Sequence, residues 1–187
     1  MTNNEHTHHH WRQPYENLLH ELQQQHGGEI IQPSEESSSA YGGGDYIGPA
    51  SPSLRFTAED TPFFIELSRE YQLHIYAIGH TPAEFTLYPR GLVDRIEALL
   101  GVDGEVHSHN PEFDRHFATN TDAKDKSEQL RKTEVQQLIL SLMPFAFIRF
   151  HEGGLQFARD IGPNTDLEAS GVERAITTLA KLLKIAS

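Results

Sequence analysis

The 187 residues carry a formal charge of −12 and include no cysteine. That length suits one domain with a single sizeable core. The missing thiols exclude disulfides, thiolate catalysis, iron–sulfur clusters and cysteine-ligated zinc, and the acidic balance argues against nucleic acid and anionic membrane as partners, which need a basic footprint.

The charge is uneven, with Arg12 alone facing seven carboxylates over residues 1–53. The N-terminus lacks the basic and apolar regions of a signal peptide. No apolar run reaches the roughly 20 residues that cross a bilayer; the longest, Leu138 to Ile148, is broken by Pro144. A cytoplasmic chain without membrane contact is expected.

Residues 1–10 form a polar tail with His6, His8, His9 and His10, expected to be disordered and read either as a loose metal-binding tract or as the remnant of a purification tag. Over 11–32 the spacing of Trp11, Tyr15, Leu18, Leu19 and Leu22 predicts a helix. Pro14 suits its first turn, Gly27-Gly28 its end, and Ile30-Ile31 a brief strand. Residues 33–53, with Ser37 to Ser39, Gly42 to Gly44, Pro49 and Pro52, read as a loop, interrupted by Tyr41, Tyr46 and Ile47.

The globular α+β domain is expected over 54–187. Three runs alternate with period two: Phe63 to Leu67, Leu73 to Ile78, and Glu84 to Tyr88. They predict an antiparallel three-strand meander. Its second face carries Phe64, Tyr76, Ile78 and Tyr88, unusually apolar for a solvated surface. Leu92, Val93, Ile96, Leu99 and Leu100 recur helically up to Gly101. Leu130, Val135, Leu138, Ile139 and Leu142 predict an amphipathic helix ended by Pro144. Phe145 to His151 and Leu155 to Asp160 alternate about a hairpin turn at Glu152-Gly153-Gly154. Val172, Ile176, Leu179 and Leu183 form a last helical stripe, for which Thr165 with Glu168, or Ser170 with Glu173, offers a capping box. The sum is an α+β fold with a mainly antiparallel sheet and amphipathic helices on one face.

Asn110-Pro111-Glu112-Phe113-Asp114-Arg115-His116-Phe117 is the densest chemical stretch. Phe113 and Phe117 share one face of a helical turn. Asp114 and Arg115 flank it, and buried charges of this kind must be paired. The expected role is structural: Phe113, Asp114, Arg115 and Phe117 lock a chain reversal. Over residues 101–143 the chain resembles a group of uncharacterised bacterial proteins that share a Glu/Asp-Phe-Asp-Arg-x-Phe box after a short apolar helix and a glycine, with a strand, an acidic turn and an amphipathic helix following. The resemblance implies a fold and a kinship; it brings no established activity. The order of elements also resembles, in layout alone, small acidic secretion chaperones, which bind client segments as dimers.

Catalytic signatures are sparse. A Gly-x-Ser-x-Gly elbow, a Walker loop and a Gly-x-Gly-x-x-Gly fingerprint are all missing, and no cofactor is expected. His107, His109, Asp114 and His116 have the donor types of a divalent-metal site and support an alternative reading, a metal-dependent hydrolase. The leading reading is a non-enzymatic interaction module for a protein or peptide, as a monomer or a homodimer, with Phe64, Tyr76 and Tyr88 as its contact surface.

Overall fold

Alternation of side chains writes most of this sheet. The computed structural model describes residues 5–33, 51–68, 72–90, 107–121, 124–161 and 167–187. Its strands are β1 (Glu29–Ile31), β2 (Ser53–Ala58), β3 (Thr61–Leu67), β4 (Gln72–Ile78), β5 (Phe85–Pro89), β6 (Phe117–Asn120), β7 (Phe147–His151) and β8 (Gly154–Asp160). They form one sheet in the order β1-β2-β3-β4-β8-β7-β5-β6, antiparallel at every pairing. Four α-helices are described: α1 (Glu5–His26), α2 (Pro111–His116), α3 (Thr133–Ser141) and α4 (Ala169–Ala186), with a 3-10 helix at Lys124–Arg131. The chain is α+β, with its helices packed on one face of the sheet.

That face is the core. Phe56, Phe63, Ile65, Leu73, Ile75, Phe85, Leu87, Ile148, Phe150, Leu155 and Phe157 are all buried. They meet Tyr15, Leu18, Leu19 and Leu22 of α1, and Val172, Ile176, Leu179 and Leu183 of α4. Each such side chain contributes about 1.5–3 kcal/mol on burial. Tyr15 donates a hydrogen bond from its hydroxyl to the Pro52 carbonyl at 2.8 Å. Burial, with the charge of Glu66 adding to it, pushes its phenol above the usual range.

The helix α1 starts at Glu5, so residues 5–10 belong to it rather than to the disordered tail expected over 1–10. The sequence over 5–10 contains no apolar residue, so hydrophobic periodicity does not register it. Pro14 therefore lies inside the helix, not in its first turn, and leaves one backbone carbonyl without its helical donor. Gly27 and Gly28 end the helix with φ of 71° and 95°, and the Gly27 amide donates to the Gln23 carbonyl at 2.8 Å.

The meander differs from the expectation in membership. Its three neighbours are β2, β3 and β4, so Ser53–Ala58, read as loop end and domain start, is a strand. The run Glu84 to Tyr88 gives β5, which pairs with β6 and β7 instead of β4. The C-terminal hairpin β7–β8 lies between them. Crossing from β4 to β5 thus spans three strand spacings, about 14 Å, within the reach of the six residues 79–84. Two hydrogen bonds steer that crossing: the Gly79 amide to the Gly153 carbonyl at 3.0 Å, and the Thr81 hydroxyl to the Ala186 carbonyl at 2.8 Å. The central place of β8 shows in its burial: Leu155, Phe157 and Ala158 are all covered, on both faces.

Two helical expectations also change. Leu130 and Val135 do not share one helix, because Lys132 is extended (φ −76°, ψ 120°) between the 3-10 segment and α3. Gln136, buried, compensates by donating to the Leu130 carbonyl at 2.7 Å. The Ser170–Glu173 capping box does not form at α4: its N-cap is Glu168, without a side-chain cap bond, and Glu173 faces His26 instead; Thr165 of the other expected box lies outside the described residues. The helix expected over Leu92–Leu100 and the aromatics Tyr41 and Tyr46 lie outside the described residues.

Candidate interaction surface

Period two sends Phe64, Glu66, His74, Tyr76, Thr86, Tyr88, Phe147, Arg149 and Gln156 to the face opposite the helices. Register sets them side by side. Arg55 is opposite Phe64, Phe64 opposite Tyr76, Tyr76 opposite Gln156, Gln156 opposite Arg149, and Arg149 opposite Thr86. The next row runs Glu66, His74, Ala158, Phe147.

Ring contacts join these rows into one aromatic path. Phe64 and Tyr76 have centroids 5.9 Å apart, Tyr76 and His74 6.1 Å, His74 and Phe147 5.9 Å edge to face, and Phe147 and Tyr88 6.3 Å. The path therefore crosses the sheet from β3 to β5. All five rings are half-buried. Ile78, at one end of the same face, is 47% exposed.

Polar groups hold the path in place. Tyr76 donates its hydroxyl proton to Glu66 Oε1 at 2.8 Å. Gln156 Nε2 donates to the Tyr76 oxygen at 3.3 Å and to His74 Nδ1 at 3.1 Å. The Tyr76 hydroxyl is thereby satisfied while its ring face stays apolar, the arrangement that suits tyrosine at interfaces.

The sequence-predicted Phe64, Tyr76 and Tyr88 are thus on one face, but Tyr88 reaches the others only through Phe147 and His74. Parity within Phe147–His151 carries the signal for Phe147, since Ile148 and Phe150 must face the core. Its position beside Tyr88 depends on the hairpin insertion, which no local pattern contains.

The acidic-aromatic box lies on the helix side. Asn110 caps α2, its Oδ1 accepting from the amides of Glu112 and Phe113. Phe113 and Phe117 are buried, 4.8 Å apart, and Phe117 stacks on Phe145 at 5.4 Å. Asp114 Oδ1 accepts from the Ser108 amide at 3.0 Å. The expected Asp114–Arg115 pairing is replaced. Arg115 is exposed, and the guanidinium that ties the turn is Arg90, whose Nε donates to the Asp114 carbonyl at 2.6 Å. Neighbours on a short helix point apart, so a partner from β5's end reaches the site that the adjacent residue cannot.

Of the four metal-ligand candidates, only His107 and Asp114 approach, with Nδ1 and Oδ2 3.7 Å apart. His107, His109 and His116 are exposed. Among the described residues no three His, Asp or Glu side chains converge on a cation position.

No protein-family model and no curated relative matches the chain. Among solved structures, its fold is similar to the crystal structure of the mycobacterial trehalose monomycolate transport factor A, TtfA. The two share 12% sequence identity with a TM-score of 0.62, over 91% of this chain and 95% of the other. That likeness is one of fold. Among the described residues, no helix is long and apolar enough to cross a membrane.

Proposed function

We propose that this chain is a non-enzymatic binding module that takes a protein partner on the helix-free face of its sheet. The observation that carries the reading is the aromatic path Phe64–Tyr76–His74–Phe147–Tyr88, rimmed by Glu66, Gln156, Arg149 and Arg55. Aromatic rings with arginine at the margin have the composition of protein interface cores. The similar fold of a transport factor supports a role in holding or handing on a partner, rather than in making or breaking bonds. The box at Phe113, Asp114 and Phe117 then serves as internal support, a role consistent with kinship to the bacterial Phe-Asp-Arg-box proteins.

Photo-crosslinking tests this. A benzophenone amino acid replaces Phe64 or Tyr88 in cells, and whatever protein cross-links at both is purified and titrated against the chain. Tyr76→Ala is expected to weaken that complex by at least about thirtyfold, the loss typical of a central aromatic anchor; because it also removes the hydrogen bonds to Glu66 and Gln156, the titration is run well below the variant's own melting temperature. A cross-link to a second copy would make the partner the chain itself. An unaltered affinity, or no cross-link at either position, would remove the proposal.

A further inference from the structure

The charges on the aromatic face are mixed, and they narrow what can sit on it. Arg55 and Arg149, both exposed, stand in the row of Phe64 and Tyr76. Glu66 stands in the next row, with His74 and Phe147. Asp160 follows one row further along β8, opposite Gln72. A strongly basic partner would bring like charge to the two arginines. A strongly acidic one would meet the repulsion of a body with 27 Asp and Glu against 15 Lys and Arg. The face therefore fits a surface of mixed charge and half-buried rings, and the chain itself presents one.

We infer that the partner is a second copy of this chain, seated face to face about a two-fold axis that crosses the strands between those two rows. The inference rests on the reading of this face as a binding surface. About such an axis each residue of one row comes over the other row of the same strand. Arg149 then comes over the partner's Phe147, a guanidinium on an aromatic ring, and the symmetry repeats the contact. Tyr76 comes over the partner's His74. Arg55 comes within one strand of the partner's Glu66, so opposite charges approach twice. No charged side chain of the two rows comes over one of its own sign.

The area suffices. Eight strands in one sheet, at about 4.8 Å spacing and about 17 Å long, give the face about 500 Å² in plan once its two short edge strands are allowed for. Two copies then bury about 1,000 Å² or more, the scale a specific interface must clear. The two sheets run aligned, about 10 Å apart, as in a sandwich. The aromatic path lies in the two rows beside the axis, so the rings form the dry centre and the carboxylates and arginines its margin.

Sedimentation equilibrium of the full chain tests the inference, and a reversible dimer is expected. Arg149→Glu, at an exposed position, is expected to weaken it about thirtyfold, because each dimer loses the ring contact twice. Met143→Asp, at an exposed position just past α3, leaves it unchanged. The chain has no cysteine, so a single introduced one reports the geometry. Thr86→Cys is expected to join two copies through a bis-maleimide spanning about 10 Å, whereas Ser141→Cys on α3 is not. A monomer at up to about 300 μM, a dimer broken by Met143→Asp but not by Arg149→Glu, or joining at Ser141→Cys alone would overturn it. A monomer whose Phe64 and Tyr88 positions still cross-link a different protein overturns this inference and leaves the binding reading intact; no cross-link at either position removes both.

Discussion

His26 at the end of α1 places Nε2 2.8 Å from both carboxylate oxygens of Glu173 in the second turn of α4, 147 residues away in sequence. The same ring stacks on Phe56 with centroids 5.1 Å apart. One side chain therefore joins the two long helices to the sheet beneath them. The pair is about one-quarter exposed, so solvent screening keeps its worth near the range of surface ion pairs. Glu173→Gln should cost about 0.5–1 kcal/mol, and His26→Ala more, about 1–2 kcal/mol, because it also loses the aromatic contact. Urea unfolding of both variants checks the order.

Asn110 does two things at once. It caps α2, and its Nδ2 donates to Gln136 Oε1 at 2.6 Å; Gln136 in turn holds the Leu130 carbonyl. Asn110→Ala removes the cap and leaves a buried amide oxygen unpaired. The expected loss is about 2–3 kcal/mol. Arg115→Ala, at an exposed position of the same helix, should stay within about 0.5 kcal/mol. Equal losses from the two, measured by denaturant midpoint, would contradict the assignment of the turn to Asn110 and Arg90.

Gly154 closes the two-residue hairpin turn with φ of 130°, and a Cβ there would overlap the Ala77 carbonyl oxygen. Substitution must strain the backbone and push β4 from β8 at their last register pair. Gly154→Ala is expected to destabilise by about 2–4 kcal/mol. Gly153→Ala next to it, where an added Cβ meets the side chain of His151 at 3.1 Å, should cost less than about 1 kcal/mol. Thermal unfolding of the two variants separates them.

His151 supplies a pH dependence. Burial, and then the nearby Arg149, lower its pKa below the ordinary 6.5, while Glu84 opposes them. Its Nδ1 accepts from the Gly153 amide at 3.1 Å, a bond that requires the unprotonated nitrogen. Between its lowered value and 6.5 the unfolded chain binds more protons on this residue than the folded one. The stability it contributes is full above about pH 6.5 and declines as the pH falls through that value. His151→Asn, which retains an acceptor near the same place, should lose less stability than the parent between pH 7.5 and pH 5, as read by urea unfolding at each pH.

What could be read from the chain alone was whatever a short window contains. Alternation marked Phe63–Leu67, Leu73–Ile78 and Leu155–Asp160 as strands, because the pleat sends successive side chains to opposite faces. The stripe Val172, Ile176, Leu179 and Leu183 marked α4, and Gly27, Gly28 and Gly154 marked turns through the backbone angles that only glycine adopts freely. Partner choice had no such local trace. That β8 lies beside β4, that Phe147 joins Tyr88 to His74, and that Arg90 rather than Arg115 reaches the Asp114 turn were decided by competition among distant pairings. Only the packed core, which leaves one face of the sheet to the helices and the aromatic path on the other, resolves it.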